Sequence, residues 1–425
     1  MNKITFCINT GKNELNHIKL LFTSLEKNLY NKEHEIIVFV DSDNQNTFEW
    51  LLSQKLVFSN LKILKNKLPI PYGYQSNINE MFLQAQNEIV SYIQSDMVIC
   101  RNYDLEILKH IKPNTVVCST RIEPPIHPNS GEKITYDFGL SPLDFDLEKF
   151  TNYAENKKEN KITEFFFAPF SLYKDTWNSI GGHNSIYRRS REDTDILTRL
   201  ALNDTKIIQI WNALVYHFTC TSSRGPGWFD KNNTEAQRRL ELQSIADQIE
   251  IGRFLRNWGH IEHSTKKRNF YNINAVIRGT ITDVNKFYHI EKFFNNVYVD
   301  DVSIIEPLQS IYDSEHIVAN KLLDISNEDW EKYKHVFNIL NSKNRIFENK
   351  DVNDDIVIDF QFSQFREEHF SEFLSNIYYI INQTDVGEYE YEYFKIFIKN
   401  KKDMSVGKIK IKNPLISKNI IYDIF

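Results

Sequence analysis

Residues 88–99 read Glu-Ile-Val-Ser-Tyr-Ile-Gln-Ser-Asp-Met-Val-Ile, an apolar strand pattern that is broken at Asp96 and then resumes. A short, β-branched apolar run of this kind is typical of a buried strand. Open α/β sheets bind their ligands just outside the carboxyl ends of the strands. The stretch therefore predicts a sheet, and it makes Asp96 a candidate anchor for a metal ion or a phosphate.

Strand and helix patterns alternate on the amino-terminal side of this stretch. The strand patterns cover residues 3–9, 35–40, 61–64 and 89–93, and the helical patterns cover residues 15–29, 47–58 and 73–85. Strands that alternate with helices predict a parallel sheet with right-handed crossovers. The amino-terminal half is therefore predicted to be α/β.

Beyond the opening stretch the pattern loosens and then returns. Residues 121–161 are rich in turn and charged residues, which predicts an insertion carried on the sheet. The regular patterns that follow are strands at 206–210 and 213–218, a helix at about 192–202 and a long amphipathic helix at 234–258.

A basic polar stretch at residues 264–268 is interpreted as a boundary. Residues 1–265 then form one domain, and residues 266–425 form a separate, smaller α+β domain. Strands are expected there at 275–277, 297–299, 356–360 and 389–398, with helices near 284–294, 328–340 and 367–381. We find no catalytic motif in this second domain.

Composition excludes several classes of protein. The chain has 425 residues, 41% of them hydrophobic, which is enough for a large folded core. A net charge of -6 gives no electrostatic footprint for nucleic acid. Apolar runs fall short of the roughly 20 residues that cross a bilayer, and the first residues enter a strand without a signal-peptide pattern. We therefore expect a cytoplasmic protein without a membrane span.

Three pieces of the first 220 residues carry side chains suited to catalysis. They are the segment ending at Asp96, the acidic run that contains Glu192 and Asp193, and His217 at a strand end. Structural explanations compete for each of them. Asp96 could be a turn residue, Glu192 and Asp193 could stabilise a helix start capped by Ser190, and His217 could be a packed histidine.

In their order, these pieces resemble family two glycosyltransferases, inverting enzymes with the nucleotide-sugar-binding glycosyltransferase-A fold. The resemblance covers roughly residues 3–220. Its elements here are Ile8-Asn9-Thr10, Val40-Asp41, Gly73 with Asn77, Gln94-Ser95-Asp96, Ile180-Gly181-Gly182, Glu192-Asp193-Thr194-Asp195 and Val215-Tyr216-His217. The fold it implies is a mixed sheet flanked by helices.

The resemblance also implies roles for individual residues. Asp41 would contact the nucleobase or its ribose, and the backbone near Thr10 would line the nucleoside pocket. Asp96 and His217 match the ligands of a divalent cation, Mn²⁺ or Mg²⁺, that holds the donor diphosphate. Asp193 matches the catalytic base, with Glu192 beside it.

Five further residues are predicted to contact the donor. Asn77, Gln94 and Ser95 belong to the resembling motifs, while Arg224 and Trp228 lie in a polar loop and suit a diphosphate and a sugar ring. Trp228 could equally be an ordinary packing anchor. Gln94 departs from the family pattern, which has an acid at this position, and an amide is the weaker metal ligand.

We therefore predict a metal-dependent inverting glycosyltransferase that moves a sugar from a UDP- or GDP-sugar to a hydroxyl of a glycan, as in polysaccharide biosynthesis. The carboxy-terminal domain would bind acceptor, a partner or a second copy of the chain. One alternative is a non-catalytic carbohydrate-binding or scaffolding protein on this fold. A sugar nucleotidyltransferase is another, although its phosphate loop is not evident around Thr10-Gly11-Lys12.

Overall fold

The computed structural model describes residues 2–127, 129–219, 230–334, 341–350, 352–411 and 422–425. Internal contacts divide these residues into two compact units. The amino-terminal unit contains residues 1–185, 196–243 and 410–425, and the carboxy-terminal unit contains residues 186–195 and 244–409. The boundary predicted at residue 265 stays a prediction. The two units are defined by contacts between residues, and each combines separate stretches of the sequence.

An eleven-stranded mixed sheet forms the amino-terminal unit. Its strands are β1 (Ile4–Thr10), β2 (Glu35–Val40), β3 (Leu61–Asn66), β4 (Ile89–Gln94), β5 (Met97–Ile99), β6 (Thr115–Glu123), β7 (Lys133–Thr135), β8 (Ile162–Thr163), β9 (Phe170–Tyr173), β10 (Lys206–His217) and β17 (Tyr422–Ile424). Its main path runs in the order β17-β3-β2-β1-β4-β9-β6-β10-β5. The α/β prediction for this half is confirmed.

The strand order places the site. Strands β2 and β3 lie on one side of β1 and β4 lies on the other, and all of them run parallel. The order therefore reverses between β1 and β4, and ligands of open α/β sheets bind at such a switch point. All six residues of β2 are buried, which is typical of a strand covered on both faces.

Helices accompany this sheet. They are α1 (Leu15–Asn28), α2 (Thr47–Gln54), α3 (Tyr74–Gln84), α4 (Tyr103–His110), α5 (Leu147–Lys157), α6 (Lys174–Ile180) and α7 (Glu192–Leu202), the last of which begins in the other unit. Apolar residues of α1 at helical spacing, such as Ile18, Leu21 and Leu25, are fully buried. Because these buried residues recur with the helical period, α1 could be predicted from the sequence.

The turn after α6 requires two glycines. Gly181 and Gly182 have φ of +78° and +75°, values that side chains other than glycine's rarely allow. A Cβ on Gly182 would overlap Asn79 Oδ1 and lie 2.8 Å from Trp177 Nε1. Asn79 Oδ1 also accepts the His183 N–H at 2.8 Å, so a side chain at Gly182 would disturb this contact.

We expect Gly182→Ala to lower the free energy of unfolding by about 2–4 kcal/mol, because backbone strain and a displaced hydrogen bond add together. Gly139→Ala is the matched control, since its φ is +94° but nothing lies within 4 Å of the added Cβ. That variant should lose only about 1–2 kcal/mol. Urea denaturation measures both, and equal losses would contradict the overlap as the main cause.

The carboxy-terminal unit has its own six-stranded sheet. Its strands are β11 (Asn274–Arg278), β12 (Val297–Val299), β13 (Ile346–Glu348), β14 (Ile356–Gln361), β15 (Gly387–Tyr391) and β16 (Phe394–Ile398), in the order β13-β12-β11-β14-β16-β15. The predicted separate α+β region is confirmed. The single strand predicted at 389–398 is wrong, because it is a hairpin whose two strands pair antiparallel.

Helices pack against this second sheet. They are α8 (Thr234–Trp258, in this unit from residue 244), α9 (Val284–Glu291), α10 (Ile305–Leu323), α11 (Asn327–Tyr333), α12 (Glu368–Glu372), α13 (Ile377–Gln383) and α14 (Ser405–Lys408), with short 3-10 turns at Val302–Ile304, Ser342–Asn344, Phe362–Gln364 and Leu374–Asn376. Ile277, Val299 and Ile358 of the sheet share a buried core with Phe287 and Ile377 of the helices. Among the described residues, no helix has both the length and the apolar character needed to cross a bilayer.

Candidate functional site

Strand pairing brings Asp96 and His217 together. Asp96 lies between β4 and β5, and β5 pairs antiparallel with the end of β10, where His217 is opposite Met97. The backbone oxygen of Asp96 accepts the Phe218 N–H at 3.1 Å, which fixes the junction. Two residues that are 121 positions apart in the sequence therefore face each other.

The two side chains have a geometry suited to a shared cation. His217 Nε2 lies 3.8 Å from Asp96 Oδ1, and both residues are buried. His217 Nδ1 lies 2.8 Å from Glu123 Oε1. If Nδ1 donates its proton to this carboxylate, Nε2 presents a lone pair toward Asp96. A carboxylate behind a histidine is the usual support for a metal ligand.

Glu123 was missed in the sequence analysis, which placed it in the insertion of residues 121–161. Strand β6 continues to Glu123, which is therefore another carboxylate at a strand end. Burial alone would raise the pKa of Glu123, but the hydrogen bond with His217 and the Arg121 and Lys133 cations hold it well below its usual range. Lys133 Nζ lies 2.9 Å from Glu123 Oε2, so the carboxylate stays charged.

This donor set fits a divalent cation that also binds its substrate. Asp96 Oδ1 and His217 Nε2, 3.8 Å apart, are the two atoms that would hold such a cation. No cluster of three or more His, Cys, Asp or Glu suited to a metal occurs in the part of the chain that the structure describes. Ions such as Mg²⁺ are commonly held by one or two protein ligands together with substrate phosphates.

Asp41 lies at the end of β2 and organises the neighbouring loop. Its Oδ1 accepts the Tyr72 N–H at 2.7 Å, its Oδ2 accepts the Gly73 N–H at 3.0 Å, and Asn66 Nδ2 donates to Oδ1 at 3.1 Å. Burial raises the pKa of Asp41, and these donors oppose that rise. The predicted contact of Asp41 with a nucleobase or ribose stays a prediction.

The switch point between β1 and β4 has buried polar oxygens. Asn9 is opposite Gln94 in the register, and Asn77 Nδ2 donates to Asn9 Oδ1 at 2.6 Å. Asn77 Oδ1 and Gln94 Oε1 have no hydrogen-bond partner among the described residues. Thr10, the last residue of β1, is also buried. Unpaired buried acceptors are costly, so a ligand that donates hydrogen bonds here would stabilise them.

Ser95 connects Asp96 to a carboxylate that the sequence did not single out. Ser95 Oγ donates to Glu14 Oε2 at 2.7 Å, and the Gly11 N–H donates to the same oxygen at 2.9 Å. Burial raises the pKa of Glu14 to about 7, with a further rise from the charge of Asp96. No motif marks Glu14, because its role depends on the contact between the loops after β1 and β4.

Glu14 should make the metal-free protein less stable as pH rises. Its folded pKa of about 7 lies above the unfolded value of about 4.3, so stability is lost between these values as the carboxyl ionises. Without metal, the free energy of unfolding of the wild type should fall between pH 5 and pH 8. We expect Glu14→Gln to reduce this fall by about 2 kcal/mol. A wild type and variant with parallel pH profiles would contradict the elevated pKa.

The acidic run at the start of α7 lies in the carboxy-terminal unit. Glu192 is buried and Asp193 is half-buried. The helix begins at Glu192 and is preceded by Arg191 with φ of +67°, so Ser190 lies one residue before the cap position. Ser190 Oγ has no hydrogen-bond partner in the described chain, so capping by Ser190 does not explain these acids.

Arg224 and Trp228 lie outside the described residues. Their predicted contacts with the diphosphate and the sugar stay predictions.

Comparison with known proteins gives one family match. Residues 10–181 match the model of glycosyl transferase family 2. The match contains Asp41, Asn77 and Asp96 and ends before Asp193 and His217. No curated protein matches the chain.

Solved structures show similarity at low identity. TarS from S. aureus is 14% identical with a TM-score of 0.42, covering 78% of this chain and 55% of that one. GalNAc-T7, solved with UDP, GalNAc and Mn²⁺, is 13% identical with a TM-score of 0.41, covering 51% and 44%. PcManGT from Pyrobaculum calidifontis, a mannosyltransferase solved with GDP-Man and Mn²⁺, is 14% identical with a TM-score of 0.38, covering 58% and 64%.

This chain thus spans under half the length of the GalNAc-T7 chain. Scores below 0.5 carry no weight for function, so the assignment depends on the family match. The resemblance stated from the sequence is confirmed by that match, since residues 10–181 are similar to glycosyl transferase family 2.

Proposed function

We propose that this chain is a nucleotide-sugar glycosyltransferase that uses a divalent cation, Mn²⁺ or Mg²⁺, and inverts the anomeric carbon of a UDP- or GDP-sugar. The family match over residues 10–181 supports the class of enzyme. The acceptor would be a hydroxyl of a glycan.

One observation carries the proposal. His217 Nε2 faces Asp96 Oδ1 at 3.8 Å, while the opposite nitrogen of the ring contacts Glu123 at 2.8 Å. His217 therefore has a carboxylate oxygen near each of its ring nitrogens, an arrangement that suits a metal ligand supported from behind. This pair, supported by Glu123, would hold the cation. When bound, a divalent cation neutralises the charge that develops on a leaving diphosphate.

The donor nucleoside would lie at the switch point. Asn77 Oδ1 and Gln94 Oε1 are buried acceptors that suit N–H or hydroxyl donors of a base or ribose. Asp41 would contribute through the loop that it orders, and Thr10 through its backbone. Because Gln94 keeps a neutral amide there, it serves nucleoside recognition better than metal binding.

Asp193 would act as the general base, as the resemblance implies. It would take the proton of the acceptor hydroxyl while the acceptor oxygen forms its bond to the anomeric carbon. The bond from that carbon to the diphosphate oxygen breaks, and the electron pair leaves with the nucleoside diphosphate. Attack from the face opposite the leaving group inverts the carbon.

The carboxy-terminal unit would bind the acceptor, a partner or a second copy of the chain. The sheet and helices of this unit share a hydrophobic core of their own.

Thermal stabilisation by nucleotides tests the proposal. UDP or GDP should raise the melting temperature in the presence of Mn²⁺ or Mg²⁺ and much less in the presence of EDTA. A screen of nucleotide sugars should then show metal-dependent release of a nucleoside diphosphate. No effect of any nucleotide would favour the carbohydrate-binding alternative, and pyrophosphate release from a nucleoside triphosphate would favour nucleotidyl transfer.

A further inference from the structure

The segment of residues 186–195, which we call the base segment because it contains Asp193, is part of the carboxy-terminal unit and forms hydrogen bonds with α8 of that unit. Near its start, Arg253 Nη1 donates to Ile186 O at 3.2 Å, and the Arg188 N–H donates to Glu250 Oε1 at 3.4 Å. Asn257 Nδ2 also donates to Tyr187 Oη at 2.9 Å.

The helical partners of the base segment form one stripe of α8. Glu250, Arg253 and Asn257 are three and four positions apart, so they share one face of the helix. These three side chains of α8 therefore contact the base segment, which lies more than 60 residues earlier in the sequence.

Two contacts hold the other end of the base segment, directly after Asp193. Trp258 Nε1 donates to Asp195 Oδ1 at 2.9 Å, and Thr194 Oγ1 lies 3.2 Å from His263 Nδ1. Trp258 and Asp195 are both buried, and the Trp258 ring packs on Phe270 with centroids 4.9 Å apart. A charge-assisted hydrogen bond in such surroundings is among the stronger ones.

We infer that Trp258 is a positioning residue for Asp193: its indole N–H, held by the carboxy-terminal unit, fixes the first turn of α7. The role of Asp193 rests on the proposed function, but the positioning itself does not. The carboxy-terminal region is then part of what places the base.

The reason is geometric. Asp193 is two residues from Asp195 in the same helical turn, so a carboxylate fixed at Asp195 limits the movement of the Asp193 backbone. Misplacement of a catalytic group by about 1 Å can cost a large part of its effect.

Trp258→Phe tests this inference because phenylalanine keeps an aromatic ring for packing but lacks the indole N–H donor, and the control variant below loses the same part of the ring. We expect faster amide hydrogen exchange at residues 192–195 and a kcat about 10-fold lower, with the donor KM and metal-dependent nucleotide binding unchanged. A merely structural residue would not separate kcat from KM in this way.

Trp211→Phe is the matched control. Trp211 is also buried, and its Nε1 donates to Thr163 Oγ1 at 2.8 Å in the amino-terminal unit. This variant should leave both the exchange at residues 192–195 and kcat unchanged. If Trp258→Phe does not fold, Thr194→Val removes the hydroxyl that faces His263 while keeping the shape, and it should give the same two effects.

The results distinguish a failure of the proposed function from a failure of the positioning inference. A wild type without transferase activity would refute the proposed function, while the exchange data would still judge the positioning. Unchanged exchange at residues 192–195 in folded Trp258→Phe would overturn the inference. An equal response in Trp211→Phe would overturn it as well, because the effect would then be general.

Discussion

Asp96→Asn is expected to abolish the stabilisation by UDP or GDP that requires Mn²⁺ and to lower transfer by at least about 100-fold. The side chain is buried and faces His217 Nε2 at 3.8 Å, so an amide in its place removes the charge on one of the two proposed metal ligands. Removal of even a supporting residue behind a metal ligand costs about 10–100-fold in metal affinity. Loss of a charged ligand should cost more.

The control must separate metal binding from stability. Asp104 forms a similar buried pair elsewhere in the same unit, with Oδ2 3.1 Å from His34 Nε2. Asp104→Asn should lower the melting temperature of the free protein and leave the Mn²⁺-dependent increment intact. Asp96→Asn should show the reverse. Retention of that increment in Asp96→Asn would refute the proposed metal site.

Local patterns predicted the frame of this site well. The helix predicted at 234–258 matches α8, because its apolar residues recur with the helical period, and the strand predicted at 35–40 matches β2, because its six residues form a continuous buried apolar run. Asp96 was found for the same reason, since a lone charge at the end of an apolar run is visible without knowledge of the partner strands.

The contact of Glu123 with His217 depends on the pairing of strands that are distant in the sequence, so no local pattern could predict it. The sequence predicted two strands at 206–210 and 213–218, but the structure has one strand, β10, with a register shift against β6 between Ile210 and Leu214. Side chains alternate faces along a strand, so this irregularity decides which of them face the site. No local pattern determines that His217 meets Glu123.

The end of the chain shows the same limit. Residues Tyr422–Ile424 pair antiparallel with β3, and Tyr422 Oη donates to Glu80 Oε2 at 2.9 Å. A local pattern can indicate that a segment forms a strand, but it does not indicate with which sheet that strand pairs. Which strand Tyr422–Ile424 pairs with depends on packing between residues that are more than 300 positions apart in the sequence.

Asp193→Asn is expected to lower kcat by about 10²–10⁴-fold while metal-dependent nucleotide binding stays unchanged. General-base catalysis contributes an effect of this size, and asparagine cannot accept the acceptor proton. Initial rates of nucleoside diphosphate release with and without acceptor measure the effect, and melting temperature confirms that the variant is folded.

Glu192→Gln decides between the two neighbouring acids. Glu192 is buried and Asp193 is half-buried, so Asp193 has the better access to a substrate hydroxyl. We therefore expect Glu192→Gln to retain most of kcat, within about 10-fold, and to act mainly on stability. The reverse order of effects would move the base to Glu192, and full activity in both variants would refute a base in this run. Since both acids lie in the base segment, Trp258→Phe would weaken whichever of them acts.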